Sequence, residues 1–306
     1  MPAYPDSCEP RLPRRTGQAP AQSRCRKKRR RRFPVPGIVL VLFLVGGALF
    51  LRGRFARSHS PYTPPSVSHS EQGEVEAVGD DLQTQLQELA REEPRAGELL
   101  SHLEDYPQEL LELAVRNPET VDFVADYPQE KDRAPAETVE EAEWGTIPLL
   151  LQWDPRWGCA QYGDGPMALN GCGPTALSMV ICGLTGDRTA TPYAVAQYAQ
   201  EMGYYVDGVG TSWELMSAGG AQFGVTAREL PLSQSVMENA LEAGEPIVCS
   251  VGPGDFTTSG HFIVLAGVED GKFQVRDPNR RSTSEKLWDY DTLAGQITNL
   301  WAFSLA

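Results

Sequence analysis

The spacing of apolar residues in the C-terminal half changes along the chain from helix-like to strand-like. Predicted helices span 175–183, 192–202, 212–223 and 233–243, and their stops are placed at Gly183, Gly203, Gly224 and Gly244. Predicted strands span 225–230, 246–251, 261–268, 272–277 and 299–304. Helices that are mostly followed by strands favour an α+β domain with an antiparallel sheet, which we place at residues 146–306.

Shorter apolar stripes of helical spacing precede this domain in an acidic region over residues 79–130. The stripes are formed by Leu82, Leu86 and Leu89, by residues 110–115, and by residues 121–124. Pro107, Pro118 and Pro128 are placed at helix starts, because proline suits the first turn. We expect a helical stalk, or a small subdomain packed beside the main one, joined to it by a linker over residues 131–145.

The longest apolar run lies near the N-terminus, after a basic leader over residues 1–32. The 19 residues from 33 to 51 carry no charge, which is close to the length of a membrane-spanning helix. Eleven basic residues precede this run and three follow it closely. The positive-inside rule therefore predicts a single-pass protein of the cell membrane, with a cytoplasmic N-terminus and an extracellular C-terminal domain. A Pro/Ser-rich tether over residues 52–78 follows.

Two interpretations of the apolar run stay open. An uncleaved signal anchor is favoured over a cleaved signal peptide, because a 32-residue leader is long for a signal peptide. Gly46 and Ala48 are the small residues at which a cleavage site would lie.

The charge distribution argues against a nucleic-acid partner. The 306 residues carry a net charge of −14, but residues 1–57 hold 14 basic residues and only two acidic ones. The remaining residues therefore carry a net charge of −26, which would repel nucleic-acid phosphates. Membrane topology and anionic lipid headgroups already account for the basic leader.

The four cysteines of the C-terminal domain show no zinc-ligand spacing, so we expect no metal and no cofactor. Cys182 and Cys249 lie in apolar runs and are interpreted as small core residues. The role of Cys159, including any disulfide, stays open. Cys172 is different, because its neighbours predict a particular backbone environment.

Cys172 lies between Gly171 and Gly173, and Pro174 follows. Flexible backbone followed by proline predicts that the sulfur lies at a helix N-terminus, where the backbone dipoles favour a thiolate. A thiolate is the reactive form of cysteine, so Cys172 is the candidate nucleophile. The structural alternative is a glycine-flanked helix cap with an ordinary thiol.

His261 is the only histidine of the C-terminal domain and opens a predicted strand, where it could exchange a proton near neutral pH. Asp277 ends the next strand. A three-residue loop at 269–271 pairs Ile263 with Asp277, and His261 and Asp277 then share one face as diagonal neighbours. A two-residue turn at 270–271 would place them on opposite faces. Hydrogen bonding between them therefore requires the longer loop or a bulge.

A site with a cysteine nucleophile also needs a hydrogen-bond donor for the negative oxygen that develops in the reaction. Gln152 precedes Cys172 by 20 residues, and its amide together with the backbone N–H of Cys172 could bind a developing negative oxygen. Gln161 is the rival candidate, and Gln152 is favoured. Either glutamine could instead be an ordinary surface amide.

Residues 146–304 resemble the C39-like, papain-type cysteine peptidases. The similar segments are 147–157 (Ile-Pro-Leu-Leu-Leu-Gln-Trp-Asp-Pro-Arg-Trp), 170–177 (Asn-Gly-Cys-Gly-Pro-Thr-Ala-Leu), 260–265 (Gly-His-Phe-Ile-Val-Leu) and 276–279 (Arg-Asp-Pro-Asn). The resemblance implies a helical half packed on an antiparallel sheet. It also implies that Cys172 is the nucleophile, His261 the general acid/base and Asp277 its orienting residue, and that Gln152 matches the family's upstream glutamine.

We therefore expect a membrane-anchored bacterial thiol hydrolase that cleaves peptide bonds in a peptide or protein substrate through a thioester. A peptidoglycan amidase or endopeptidase, acting on cell-wall peptide with the same triad, is the alternative among enzymes. A catalytically silent peptide-binding module of the same fold is the alternative of another class.

Overall fold

The structure, a computed structural model, describes residues 74–306. The predicted leader, membrane segment and most of the tether lie outside the described residues, so the anchor and its topology stay predictions. Within residues 74–306, no helix combines the length and the apolar character needed to cross a membrane.

Four helices form the acidic N-terminal region: α1 (Glu74–Glu92), α2 (Ala96–Ser101), α3 (Gln108–Arg116) and α4 (Val121–Glu130). Their apolar stripes are buried together, as the helical spacing predicts. Leu86, Leu110 and Val124 are each 0% exposed. Two ion pairs connect the start of α2 to α4: Arg95 lies 3.1 Å from Asp122 and 2.7 Å from Asp126.

The helical region shares its hydrophobic core with the C-terminal domain. Leu110 and Phe123 pack in one cluster with Leu151 and Trp153. The approach is close at Gly158, where a Cβ would lie 2.7 Å from the Phe123 ring and 2.9 Å from the Trp153 backbone. Of the two expectations for residues 79–130, the structure therefore favours the subdomain packed beside the main one.

The C-terminal domain contributes the remaining helices of the described chain. These are α5 (Met167–Asn170), α6 (Cys172–Thr185), α7 (Pro192–Glu201), α8 (Glu214–Ala218), α9 (Gln234–Glu242), α10 (Arg281–Ser284) and α11 (Tyr290–Ala294). Gly183 was a wrong choice for the end of α6, which ends instead at Gly186, a left-handed residue with φ of 71°. Gly183 lies inside the helix, where its role is close packing, because a Cβ there would lie 2.3 Å from the Ile147 side chain.

The strands are short at the front of the domain and longer towards its end. They are β1 (Gln161–Tyr162), β2 (Gly165–Pro166), β3 (Tyr205–Val206), β4 (Gly210–Thr211), β5 (Val225–Glu229), β6 (Ile247–Val251), β7 (His261–Glu269), β8 (Lys272–Arg276), β9 (Leu287–Trp288) and β10 (Ile297–Leu305). A six-stranded sheet has the order β5-β10-β6-β7-β8-β9, and all its pairings are antiparallel. The α+β prediction is confirmed. Of the six strands of this sheet only β9 was missed, and the two-residue strands β1 to β4 outside it were missed as well.

The alternation of side chains along the central strands separates two hydrophobic clusters. Val248 and Val264 point to the face that packs with α6, while Cys249 and Ile263 point to the face that packs with α9. Burial on both faces explains why these strands read as nearly continuous apolar runs.

The hairpin of β7 and β8 contains the feature on which the relation of His261 to Asp277 depends. Glu269 pairs with Lys272, so the turn has two residues, Asp270 and Gly271, both with positive φ. The register then shifts between Leu265 and Gly267, where Ala266 forms a bulge. Beyond the bulge Val264 pairs with Arg276, which restores the register that puts His261 and Asp277 on one face. The three-residue loop was wrong, and the alternative of a bulge is confirmed.

Candidate active site

Cys172 is the first residue of α6. Its N–H belongs to the first turn, whose N–H groups have no acceptor within the helix, and the helix dipole favours negative charge there. The flanking glycines are needed for space: a Cβ on Gly171 would lie 2.5 Å from the Met167 carbonyl oxygen, and one on Gly173 would lie 2.7 Å from the Thr211 side chain. The local backbone therefore holds a half-buried sulfur at a helix N-terminus.

His261 lies at the start of β7, opposite Val251 of β6, and is 8% exposed. Its Nε2 lies 2.8 Å from Asp277 Oδ1, which leaves Nδ1 for Cys172. Burial by itself would lower the pKa of the imidazole, but the Asp277 carboxylate and a hydrogen bond with Cys172 raise this pKa to about 10. The ring is therefore charged at neutral pH and presents a positive charge to the cavity that it shares with Cys172.

Asp277 is fully buried and saturated with hydrogen bonds. Its Oδ1 accepts from His261 Nε2 and from the Asn279 N–H at 2.8 Å, and its Oδ2 accepts from Thr283 Oγ1 at 2.6 Å. Burial alone would raise the pKa of this carboxyl, but the charge and the hydrogen bond of His261 lower it. The hydrogen bonds from Thr283 and from the Asn279 N–H lower it further. Asp277 thus stays ionised and fixes the orientation of the imidazole.

The two glutamines proposed as oxyanion donors lie in different surroundings. Gln152 is 4% exposed and lines the same cavity as Cys172 and His261. Its Nε2 donates to the Ala168 carbonyl at 2.7 Å, and its second N–H makes a longer contact of 3.4 Å with the Leu169 carbonyl. The Gln152 Oε1, by contrast, is buried without a hydrogen-bond partner. Gln161 is exposed and donates to the Gly163 carbonyl at 2.8 Å, and it does not line this cavity.

The cavity has a volume of about 360 Å³ and contains residues that the sequence reasoning missed. Its lining includes Leu113, Arg116 and Asn117 from the end of α3, the loop 254–260, and Asn279 and Arg280. Asn279 and Arg280 closely follow Asp277 in sequence, which was a usable signal. Nothing in the apolar pattern indicated that α3 would reach the same cavity.

The other described cysteines are poor nucleophiles. Burial raises the pKa of Cys159 and of Cys182 to about 11, and it also raises the pKa of Cys249. Cys182 and Cys249 are 0% exposed, which confirms their core role. All four described cysteines, Cys172 included, are free thiols. No cluster of His, Cys, Asp or Glu within residues 74–306 has the grouping of a metal site.

A buried His–Asp pair beside a half-buried thiol at a helix N-terminus is the arrangement of a thiol hydrolase. The model of the Peptidase_C39 like family matches residues 146–303, about half of the chain, and the protein belongs to this family.

Two solved structures are similar to the chain. One is the peptidase domain of ComA from Streptococcus, a bifunctional ABC transporter involved in a quorum-sensing pathway: it is 19% identical, the match covers 45% of this chain and 91% of that one, and the TM-score is 0.35. The other was described as a C39-like peptidase from Bacillus anthracis: it is 17% identical, the match covers 55% and 98% of the two chains, and the TM-score is 0.32. No curated protein matches the chain.

Proposed function

We propose that the protein is a cysteine peptidase whose Cys172, His261 and Asp277 act as a catalytic triad. The observation that carries the proposal is the buried 2.8 Å contact between His261 Nε2 and Asp277 Oδ1, together with the interaction of His261 with Cys172 that helps to raise the pKa of the imidazole. Membership of the peptidase family supports the same reaction class.

The proposed reaction is acyl transfer in two steps. The Cys172 thiolate attacks the carbonyl carbon of a peptide bond and forms a tetrahedral intermediate. His261 Nδ1–H then protonates the leaving amine as the C–N bond breaks, which gives a thioester and a neutral imidazole. A water molecule next attacks the thioester while His261 takes its proton, and the sulfur leaves as a thiolate.

Two donors are proposed for the negative oxygen of each intermediate. One is the backbone N–H of Cys172, which belongs to the first turn of α6. The other is the second N–H of Gln152 Nε2, which would exchange its 3.4 Å contact with the Leu169 carbonyl for a shorter one with the oxyanion. Because the ground-state contact is long, this exchange favours the intermediate over the resting enzyme.

The test is the alkylation rate of Cys172 by iodoacetamide at pH 6, followed by mass spectrometry of the peptide that contains Cys172. We expect rapid alkylation in the native chain and at least a tenfold slower reaction in His261→Ala. His102→Ala is the matched control, since His102 is exposed on the helical region. Cys172 reacting as slowly as Cys249 would instead support the silent peptide-binding module.

We also propose that a signal anchor holds the catalytic domain outside the cell membrane. The support is the uncharged run over residues 33–51 behind a basic leader. Protease added to intact cells should degrade residues 58–306 and spare the leader. Protection of a peptide that contains Trp301 would contradict this orientation.

A further inference from the structure

One wall of the cavity comes from outside the family-matched residues. The end of α3 brings Arg116 and Asn117 to the cavity that contains Cys172 and His261, whereas the family match begins at residue 146. This wall is therefore a feature of this chain's helical region, and its chemistry bears on which substrate the cavity accepts.

The wall is held firmly in place. Asn117 is 2% exposed, and its Nδ2 donates to the Asn279 carbonyl at 2.7 Å. The Glu119 carboxylate accepts from the Arg281 N–H at 2.7 Å, and from the N–H and hydroxyl of Ser282 at 3.0 Å and 2.6 Å. These bonds fix the loop that follows Asp277 against the helical region, so the side chains on this wall keep their positions.

Arg280 lies next to this wall, in the loop that follows Asp277, and is a cation without an acidic partner. One of its terminal nitrogens donates to the Arg116 carbonyl at 2.7 Å. Its Nε is shielded from solvent and has no hydrogen-bond partner. Among the side chains described for residues 81–306, no carboxylate lies within 4.0 Å of its guanidinium. A shielded N–H of a charged group calls for an acceptor, and this one has none.

Arg116 adds a second guanidinium that is loosely paired. Its side chain is 57% exposed, and its nearest carboxylate, that of Glu112, lies 4.0 Å away. Such an exposed pair contributes little and is easily exchanged for another anion. The cavity also contains Asp255, whose carboxylate accepts a hydrogen bond from Gln296 at 2.6 Å. The cavity thus carries a positive charge on one side and a negative charge on another, and its positive side lies against α3.

We propose that Arg280 and Arg116 form a carboxylate-binding subsite, which selects peptides that present an acidic side chain or a terminal carboxylate to the α3 wall while the scissile bond lies at Cys172. A planar guanidinium binds a carboxylate through two parallel hydrogen bonds, and the fold uses only one bond of the Arg280 guanidinium, to the Arg116 carbonyl. This inference rests on the proposed peptidase function and names its substrate class.

The test uses quenched-fluorescent decapeptides of alanine and glycine in which one glutamate moves along the sequence. Each has a glutamine counterpart, and the parent peptide is made with a free or an amidated C-terminus. We expect one glutamate position, or the free terminus, to raise kcat/KM at least tenfold over its neutral counterpart. The position that responds distinguishes a side-chain carboxylate from a terminal one.

The variants locate the effect on the wall. Arg280→Gln and Arg116→Gln should each remove most of this preference by raising KM for the acidic peptide, with kcat changed less than twofold. Arg280→Lys should restore part of the preference, because it keeps the charge but not the fork of donors. Arg133→Gln changes an exposed arginine of the linker that pairs with Glu130 at the end of α4, and it should leave the preference intact.

A binding measurement separates failure of the subsite from failure of the proposed function. Fluorescence anisotropy with Cys172→Ala and the same labelled peptides should show tighter binding of the acidic peptide, lost on adding Arg280→Gln. Cleavage without acidic preference would overturn the subsite and leave the peptidase function standing. Acidic preference in binding without cleavage by the native chain would overturn the function alone. If the native chain cleaves no peptide and shows no acidic preference in binding, the subsite and the peptidase function are both overturned.

Discussion

Replacing Asp277 by asparagine removes one charge from the centre of the site and almost no volume. The carboxylate is fully buried and is bonded to His261, to the Asn279 N–H and to Thr283. An asparagine oxygen still accepts from His261 Nε2, so the ring keeps its orientation. The main cause that raises the pKa of His261 is lost, however, and burial then lowers that pKa.

The loss of the Asp277 charge sets how strongly the substitution destabilises the charged imidazole of His261. The pKa of His261 is raised from 6.5 to about 10, which corresponds to roughly 5 kcal/mol at 1.36 kcal/mol per tenfold. Removing one partner of a buried pair typically costs about 3–5 kcal/mol of folding stability, and we take the same range for the lost stabilisation of the charged imidazole. We take the lower end, because the retained hydrogen bond offsets part of the loss. About 3 kcal/mol corresponds to a roughly 10²-fold smaller population of the imidazolium–thiolate pair.

The assay is the rate of Cys172 alkylation by iodoacetamide at pH 6, where an ordinary thiol is less than about 1% ionised. We expect Asp277→Asn to react about 10²-fold more slowly than the native chain. Asp289→Asn is the control, because Asp289 forms an exposed ion pair with Lys272. An Asp277→Asn rate within threefold of the native rate would refute the argument that this carboxylate maintains the ion pair.

Three further predictions concern other parts of the site. Gln152→Ala should lower kcat for peptide cleavage by about 10²–10³ with little change in KM, whereas Gln161→Ala should leave both unchanged; equal losses would contradict the choice of donor. Because the pKa of folded His261 is raised above that of the unfolded chain, its contribution to stability is complete below about pH 6.5 and is lost as the pH rises towards about 10. The stability deficit of His261→Gln, measured by urea unfolding, should therefore be larger at pH 6 than at pH 10. Burial would raise the pKa of Glu119, but the hydrogen bonds that it accepts from Ser282 and from the Arg281 N–H lower this pKa. The contribution of Glu119 to stability is therefore present above about pH 4.5 and is lost as the pH falls below that. Glu119→Gln should cost less than about 1 kcal/mol at pH 6 and nothing measurable at pH 3.

The parts of the site that depend on local sequence were predictable. A cysteine between glycines and before a proline indicated the start of a helix, and α6 begins at Cys172. The reason for the glycines was only partly anticipated, since both serve close packing. His261 begins β7, as its place before an apolar run indicated.

The features that were missed depend on contacts between distant segments. Gly267 is a bulge signal inside the strand, but only pairing with β8 shows that the extra residue is Ala266. The placement of Pro128 at a helix start was wrong for a local reason: it lies in the last turn of α4, whose apolar stripe begins upstream at Val121. The approach of Arg116 to the cavity follows from the packing of α3 on the C-terminal domain, which no single-segment pattern encodes.

The core shared by the helical region and the C-terminal domain determines how far the chain can be shortened, and which parts must be transferred together in recombination. A chain shortened to the family-matched stretch would uncover Leu151 and Trp153, which are now 4% exposed, and leave an apolar surface prone to self-association. It would also release the loop after Asp277 from Glu119. The helices therefore belong with the C-terminal domain as one folding unit, and a recombination that transferred only the family-matched residues would separate parts that share one core.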